Sequence, residues 1–335
     1  MKDRPEGVTE RELRLALEQG WDLRPDQLRY APVGAGSYHW TVRGAARAHG
    51  DRWFLTIDDL DGKPWLGDTR EGVYAGLGAA LDTARWLRDQ AGLAFVVAPE
   101  PTRDSTTALR LSPRYAVALY RYIEGRNWEF GQRLPPEARD QLIDLLAALH
   151  QVTPPPQVPV AQPDLPERAS LERALADLGR SWSGGPFSEP ARALLAGAAG
   201  PVRDRLATFD QLAARLAAAP GQVITHGEPH PGNVMQARDG LRLIDWDTVG
   251  LAHPERDLWH VLDATDSHAA RRYTRATGHP IDPDALRCYR LRWALDDLAA
   301  YSGELRAEHR DTAGSRQAWQ ALNETVTEIV RQPGT

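Results

Sequence analysis

The side chains best suited to chemistry lie within residues 224–259, where carboxylate and carboxamide groups occur at short intervals. Asn233 follows Glu228 by five residues, and Asp245 comes twelve residues after Asn233. A carboxylate that orients a hydroxyl, together with hard oxygen ligands for Mg²⁺, is the apparatus of metal-dependent phosphoryl transfer. Asp247, two residues further on, is a candidate ligand of a second ion. The pattern therefore predicts a phosphoryl-transfer site.

A zinc site is the competing interpretation of the same segment, because His226 and His230 are four residues apart. The zinc-peptidase motif requires a glutamate directly after the first histidine and a continuous helix. Here Gly227 follows the first histidine, and Pro229 and Pro231 are incompatible with a continuous helix. We therefore exclude a zinc-peptidase site.

The segment resembles the catalytic and metal-binding loops of the aminoglycoside phosphotransferase family, whose usual pattern is His-Gly-Asp-x-x-x-x-Asn followed by Ile-Asp. This chain departs at Glu228, which has nearly the intrinsic pKa of Asp but is one methylene longer. The resemblance implies that Glu228 orients the acceptor hydroxyl and that Asn233 and Asp245 hold Mg²⁺. It implies structural support of the catalytic loop for His226 and Asp257.

A second candidate site is the turn Gly34-Ala35-Gly36-Ser37, which separates two predicted strands. Backbone N–H groups of such a turn can contact phosphates. The turn is not a P-loop, because no Gly-Lys-Ser/Thr follows it. With the resemblance, Gly34, Gly36 and Ser37 become predicted nucleotide ligands.

The resemblance also implies a lysine on the third strand for the α- and β-phosphates and a helical glutamate that pairs with it. Those positions hold Thr56 and Ala80. The chain has only two lysines, Lys2 and Lys63. We therefore predict that Lys63, seven residues after Thr56, contacts the phosphates instead.

The hinge between the lobes is predicted at residues 120–125. The resemblance implies that adenine lies against Arg121, Tyr122 and Ile123, with Ile244 beneath the base. ATP and Mg²⁺ are the cofactors this implies, and the sequence leaves GTP open as the donor.

The acceptor is expected between the catalytic loop and the C-terminal helices. Acidic side chains there could attract an amine, and aromatic rings could stack on a sugar. A solvated helix face or core packing would explain the same residues equally well. The candidates are Asp263, Asp266, Trp293, Asp296, Asp297 and Tyr301.

The elements that must position these residues can be predicted from periodicity and turn signals. Thr9 and Glu12 form a capping box that predicts a helix over 9–19. Strands are predicted at 30–33, 38–42, 52–60, 95–99, 108–111 and 115–123, with one helix at 69–91. Later helices are predicted at 136–150, 167–179, 189–219, 254–275, 284–308 and 314–331, with a proline-rich connector at 153–166.

This order predicts an α+β chain. Together with the resemblance it gives a protein-kinase-like two-lobe fold, with a small antiparallel-sheet N-lobe containing one main helix and a larger helical C-lobe. We expect a nucleotide-binding lobe at 1–122 and a lobe with the catalytic loops and acceptor site at 123–335.

Composition narrows the partners. The net charge of −6 disfavours a nucleic acid, which normally requires a basic face. A single cysteine, Cys288, excludes an internal disulfide and fits a reducing cytoplasm. No stretch approaches the roughly 18 apolar residues of a membrane span, and the charged N-terminus does not read as a signal peptide. A monomer and a homodimer are both compatible with the sequence.

The resulting prediction is an ATP- and Mg²⁺-dependent O-phosphotransferase that modifies a hydroxyl of a small-molecule antibiotic and gives resistance. Glu228 and the missing strand lysine resemble the divergent spectinomycin-phosphotransferase-like branch, so an aminocyclitol or nucleoside acceptor is as suitable as an aminoglycoside. Two alternatives stay open. One is a kinase of a metabolic small molecule of the choline, homoserine or sugar type, and the other is a nucleotide-binding pseudokinase without turnover.

Overall fold

A computed structural model describes residues 4–34, 36–45, 52–262 and 267–331 of the chain. The chain divides into two compact units. The first unit combines Met1–Ala161 with Gln222–Ile281, and the second combines Gln162–Gly221 with Asp282–Thr335.

The first unit is built around a five-stranded antiparallel sheet with strand order β1-β2-β3-β5-β4. Its strands are β1 (Arg24–Ala31), β2 (Ser37–Ala45), β3 (Arg52–Asp59), β4 (Leu109–Arg110) and β5 (Tyr115–Arg121). Helix α1 (Glu10–Trp21) precedes the sheet. Its predicted capping box is confirmed, since the Thr9 hydroxyl accepts from Glu12 N and the Glu12 carboxylate accepts from Thr9 N at 2.8 Å.

The two faces of this sheet are covered by different helices. Leu13 and Leu17 of α1 belong to the same buried cluster as Leu55 and Ile57 of β3. Helix α2 (Arg70–Asp89) covers the other face, where its leucines pack near small alanines of β5. Side chains alternate along a strand, so Asp58, next to Ile57, projects toward the α2 face. The Asp58 carboxylate is therefore buried on the side of the sheet that α2 covers.

The remaining elements of the first unit flank the loops that contain the candidate site residues. They are β6 (Gly125–Asn127), α3 (Pro136–His150), β7 (Val223–Thr225), β8 (Val234–Ala237), β9 (Gly240–Leu243), β10 (Gly250–Ala252), α6 (Glu255–Leu258) and α7 (Ser267–Thr277). β6, β8 and β9 form one antiparallel sheet, and β7 pairs with β10. In the β8–β9 hairpin Val234 lies opposite Leu243, and Ile244 N donates to Asn233 O at 3.1 Å. The hairpin therefore brings the segment after β9 beside Asn233.

The second unit contains the helices α4 (Arg168–Ala176), α5 (Ser188–Ala217), α8 (Pro283–Arg306) and α9 (Ala313–Arg331). Long-range ion pairs join them at their ends. Arg306 lies 2.5 Å from Asp177, and Arg215 lies 2.9 Å from Asp284. The apolar stripes of these helices supply the core of this unit.

The α+β class predicted from the sequence is confirmed, and two predicted elements are wrong. Residues 95–99 are not a strand. Val97 N donates to Leu243 O and Leu243 N donates to Phe95 O, so the segment forms only a short bridge beside β9.

The predicted helix 254–275 is also wrong, because α6 ends at Leu258. His260 N and Val261 N donate to carbonyls three residues back, at Asp257 and Leu258, so the turn tightens and the α-helix stops. Residues 263–266 lie outside the described part of the chain, and α7 follows them. Across the described residues, no helix is long and apolar enough to cross a membrane.

Candidate active site

The segment after β9 places two aspartates in one buried turn. Asp245 has a φ of 66°, in the left-handed region that few residues other than glycine, Asn and Asp adopt. Trp246 is buried between them, and its Nε1 donates to Leu243 O at 2.8 Å. Burial, and next the charge of Asp247, hold the pKa of Asp245 well above its usual range. Two carboxylates this close form a site that favours a cation.

The catalytic loop is attached to this turn through His226. The Glu228 N–H donates to His226 Nδ1 at 3.2 Å, so the proton of the neutral ring lies on Nε2. Nε2 then donates to Ile244 O at 2.9 Å. Burial lowers the pKa of His226 and favours this neutral form. One imidazole therefore connects the backbone before Glu228 to the backbone before Asp245.

Asp257 fixes the start of the same loop. Its carboxylate accepts from His226 N at 2.8 Å and from Gly227 N at 2.7 Å. Burial alone would raise its pKa, but the hydrogen bond and charge of His150, 3.1 Å away at Nε2, bring the pKa below its usual value. The other nitrogen of His150 lies 2.8 Å from the Tyr273 hydroxyl. This fully buried network leaves little freedom to the backbone that carries Glu228.

Gly227 occupies a position that other residue types adopt only with backbone strain. Its φ is 101°, and a Cβ there would lie 2.7 Å from the Arg256 guanidinium and from the Thr248 hydroxyl. The close approach lets the loop turn directly above Arg256, whose Nη1 donates to Thr225 Oγ1 at 2.9 Å.

Asn233 is oriented from within the catalytic loop. Its Nδ2 donates to Glu228 O at 3.0 Å, and its backbone carbonyl accepts from Ile244 N. With the amide NH₂ directed at Glu228 O, the amide oxygen is on the opposite side of the group. The hairpin therefore gathers Asn233, Asp245 and Asp247 into one region of the first unit.

Lys63 lies in the same region, with only 2% of its surface exposed. Its Nζ is 2.5 Å from Asp247 Oδ2, 3.1 Å from Asp58 Oδ1 and 3.3 Å from Ser37 Oγ. Burial would lower its pKa, but the charges of Asp247 and Asp58 outweigh that effect and hold the pKa well above its usual value. The ammonium group therefore joins the glycine turn, β3 and the turn that carries Asp245 and Asp247.

The glycine turn has the backbone conformation that its sequence predicts. Gly34 and Gly36 have φ values of 68° and 83°, and Ala35 lies outside the described residues. Ser37 Oγ donates to Asp58 Oδ1 at 2.7 Å and so anchors the end of the turn. The His39 ring lies beneath Gly34, with its Nδ1 3.3 Å from Thr56 Oγ1, and burial lowers its pKa to about 4.

The predicted hinge continues from β5. Tyr122 N donates to Arg52 O at 3.2 Å, and the Arg52 guanidinium lies 3.9 Å over the Tyr122 ring. Peptide groups alternate in direction along an extended strand, so Arg121 O and Ile123 N are directed away from Arg52. These two backbone groups are the ones suited to an adenine edge.

The predicted acceptor residues belong to different units of the chain. Burial raises the pKa of Asp296 to about 6, and burial together with the charge of Asp296 raises that of Asp297 to about 7. Asp296 also lies 3.4 Å from Arg292. Asp263 and Asp266 lie outside the described residues, while α8 of the second unit carries Trp293, Asp296, Asp297 and Tyr301.

Sequence reasoning missed three polar residues of this region: Asp58, His150 and Tyr273. Asp58 had a detectable signal, since an acidic side chain there shares its strand face with Phe54 and Thr56. His150 and Tyr273 had none, because their contacts join helices distant in sequence.

Comparison with known proteins identifies the family of the chain. The profile of the phosphotransferase enzyme family matches residues 41–291. Protein StrN of Streptomyces griseus is 28% identical over 316 residues, which cover 90% of this chain and 86% of that protein.

Two solved structures have the same fold. A spectinomycin phosphotransferase in complex with ADP and spectinomycin aligns with a TM-score of 0.73 and 17% identity, over 97% of this chain and 99% of that one. An amicoumacin kinase in complex with AMP-PNP, Ca²⁺ and its substrate aligns with a TM-score of 0.55 and 14% identity, over 98% and 95% of the two chains. At these identities the likeness shows the fold alone.

The fold and the family profile define a phosphotransferase enzyme. The chain belongs to the phosphotransferase enzyme family. The family predicted from residues 224–259, and the protein-kinase-like fold predicted from the order of elements and this resemblance, are thereby confirmed.

Proposed function

We propose that this protein transfers the γ-phosphoryl group of ATP, with Mg²⁺, to a hydroxyl group of a small-molecule antibiotic. The observation that carries the proposal is the buried contact of Lys63 with Asp247 and Asp58 beneath Ser37 of the glycine turn. In this contact an ammonium group that could bind phosphates lies beside carboxylates that could bind a metal ion. Phosphoryl transfer requires both kinds of group.

The residues present fit a magnesium ion. Asp58, Asp245 and Asp247 bring three carboxyl groups to a buried region in which Lys63 supplies one positive charge. No group of three or more His, Cys, Asp or Glu among the described residues forms an all-protein metal cage. Mg²⁺ rarely uses one, because it takes one or two carboxylates and completes its shell with phosphates and water.

We assign Asn233 and Asp245 as the metal ligands and Asp247 as the ligand of a second ion. When bound, Mg²⁺ would neutralise the phosphate oxygens on which charge develops during transfer. Asp247 would have to exchange its contact with Lys63 for the contact with the ion.

Glu228 is the proposed group that accepts the proton of the acceptor hydroxyl. The transition state is loose, so orientation contributes more than basicity. The hydrogen bonds of Asp257 and His226 to this loop supply that orientation through the backbone. The extra methylene of Glu228 would require the backbone to lie slightly further from the acceptor hydroxyl than it does with Asp at this position.

The donor nucleotide is assigned mainly to residues 1–122, with Ile123 and Ile244 completing the site. Gly34, Gly36 and Ser37 would contact phosphates, Arg121 and Ile123 the adenine edge, and Ile244 the lower face of the base. The remaining residues, 123–335, would carry the catalytic loops and the acceptor site.

The acceptor proposed is an antibiotic of the aminocyclitol, aminoglycoside or nucleoside type. A structural relative was solved with spectinomycin and another with amicoumacin, which supports a hydroxylated antibiotic. Asp296 and Asp297 would attract an amine of such a molecule. Its phosphorylation would give resistance in the cytoplasm, where ATP is available.

Mass spectrometry of a panel of these antibiotics, incubated with protein and Mg-ATP, tests the proposal. A gain of one phosphate on a compound, absent with Asp245→Asn, is the expected result. Glu228→Gln should lower kcat about a hundredfold or more while the ADP affinity stays unchanged. Parallel reactions with GTP identify the donor.

The two alternatives give different results in the same assay. Phosphorylation of choline, homoserine or a sugar, and of no antibiotic, would identify a metabolic kinase. Binding of Mg-ATP in calorimetry without phosphorylation of any acceptor, and without recovery of transfer in Glu228→Asp, would identify a pseudokinase.

A further inference from the structure

The contact of Asp58 with Lys63 lies within one short stretch of chain. Asp58 is 4% exposed on β3, and Lys63 follows the 3₁₀ turn of Leu60–Gly62 directly after that strand. The turn is fixed from outside the stretch, since Leu60 N donates to Arg114 O at 2.9 Å. It is also capped by Asp59, whose side chain accepts from Asp61 N. The lysine is therefore held by a well-defined backbone.

We infer that Asp58 is a positioning residue for Lys63, and that the lysine and the carboxylate of the kinase ion pair have exchanged places in this chain. In the usual arrangement the third strand supplies the lysine and a helix supplies the carboxylate. Here β3 supplies the carboxylate and the turn after it supplies the lysine. This inference rests on the proposed function, because it concerns how the donor phosphates are held.

One exchange accounts for both departures in the N-terminal sheet. Thr56 lies on the same face of β3 as Asp58. Its side chain is short and uncharged, so it cannot contact the phosphates as a lysine would. Ala80 of α2 is fully buried and has no carboxylate to offer. Both members of the usual ion pair are replaced by neutral residues, Thr56 and Ala80. Neither position therefore has an uncompensated charge in the interior.

Asp58 can hold Lys63 in place while the cation is bound, which Asp247 cannot. A lysine paired only with Asp247 would be drawn to the metal-binding turn and would compete with the cation for that carboxylate. Asp58 lies on a strand, is hydrogen-bonded by Ser37 Oγ at 2.7 Å, and offers Lys63 a second anchor 3.1 Å away. Lys63 can then exchange Asp247 for a phosphate while it stays paired with Asp58.

The test is calorimetric measurement of Mg-ADP binding by the full chain and its variants. Asp58→Asn should weaken binding on the order of tenfold, since it replaces a charged partner by a neutral one of the same shape. In a double-mutant cycle, Asp58→Asn should have no further effect in a Lys63→Met background. A merely structural Asp58 would weaken binding equally in both backgrounds, and that result would overturn the inference.

Asp82→Asn is the control. Asp82 lies on α2 in the first unit, and its carboxylate accepts a hydrogen bond from Thr107 Oγ1 at 2.8 Å. This variant should bind Mg-ADP within twofold of the wild type. Ser37→Ala keeps the inference testable if Asp58→Asn does not fold, because loss of its hydroxyl should weaken binding severalfold and only when Lys63 is present.

The failure of this inference is distinguishable from that of the proposed function. Unchanged or tighter Mg-ADP binding by Asp58→Asn, in a protein that phosphorylates an acceptor, would remove the positioning role alone. The expected cycle in a protein that phosphorylates no acceptor would keep the positioning role and remove the transferase proposal. A wild-type chain that binds no Mg-ADP would overturn both.

Discussion

Lys63 Nζ and Asp247 Oδ2 are 2.5 Å apart, although 184 residues separate them in the sequence. The contact joins the turn after β3 to the turn after β9, both within the first unit. It is buried, and it is one of two carboxylate contacts of the only lysine in the described residues. The stability of this region and its proposed chemistry therefore depend on the same ammonium group.

Replacing Lys63 by Met should destabilise the chain. Removing one partner of a buried ion pair leaves uncompensated charge, which typically costs about 3–5 kcal/mol. The pKa of Lys63 is raised in the folded chain, so its stabilising effect is fully present below the unfolded pKa and is lost only in strong alkali. Urea unfolding at pH 7 measures the loss. Lys63→Arg, which keeps the charge, should lose less, and equal losses would contradict the electrostatic explanation.

Asp245→Asn should have the opposite effect on stability. Burial and the charge of Asp247 raise the pKa of Asp245, so its ionisation opposes folding as the pH rises above the unfolded value. Asn removes that charge and also tolerates the φ of 66°. In metal-free buffer the variant should melt a few degrees higher at pH 8, with a smaller difference at pH 5, and it should transfer no phosphate. Melting curves at both pH values check this, and a lower Tm at pH 8 would contradict it.

How much could be predicted from sequence depends on the separation of the residues involved. Thr9 with Glu12, and Asn233 with Asp245, are local patterns, and the structure has the capping box and the hairpin they predict. The segment 95–99 has strand composition, but its β-type pairing is a short bridge to the end of β9, which no local signal reveals. The ion pair of Lys63 and the network of His150 depend on contacts across more than a hundred residues, so periodicity carries no information on them.

Asp257→Asn should loosen the catalytic loop. The carboxylate accepts two backbone N–H groups and lies beside His150, so its loss should cost about 3 kcal/mol or more and lower kcat. The pKa of Asp257 is lowered, so its stabilising effect is present at neutral pH and is lost as the pH falls through the folded pKa. Asp282→Asn is the control.

Asp282 caps α8, and its side chain accepts a hydrogen bond from Asp284 N at 2.8 Å. Asn caps a helix as well as Asp does, so this variant should lose less than about 1 kcal/mol and keep kcat. Urea unfolding together with steady-state kinetics makes the comparison. Equal losses for the two variants would mean that the loop network adds nothing beyond an ordinary cap.

The glycine turn can be tested with a pair of equally strained substitutions. Gly36 and Gly92 have φ values of 83° and 73°, and a Cβ at either would meet no atom within 4 Å. Each change to Ala should therefore cost about 1–2 kcal/mol of stability from backbone strain alone. Gly36→Ala should in addition weaken Mg-ADP binding severalfold, and Gly92→Ala should leave it unchanged. Calorimetry that finds both variants alike would argue against phosphate contact at the turn.

Asp297 provides a prediction about pH in the second unit. Burial, and next the charge of Asp296, raise its pKa to about 7, so wild-type stability falls as the pH rises from the unfolded pKa of about 4 to the folded pKa of about 7. Asp297→Asn should therefore differ little from the wild type near pH 4 and exceed its Tm at pH 8. If the carboxylate also binds an amine of the acceptor, the KM of the wild type for a cationic antibiotic should fall between pH 6 and pH 8 as Asp297 ionises. A KM that changes identically with pH in Asp297→Asn would show that the charge binds no acceptor.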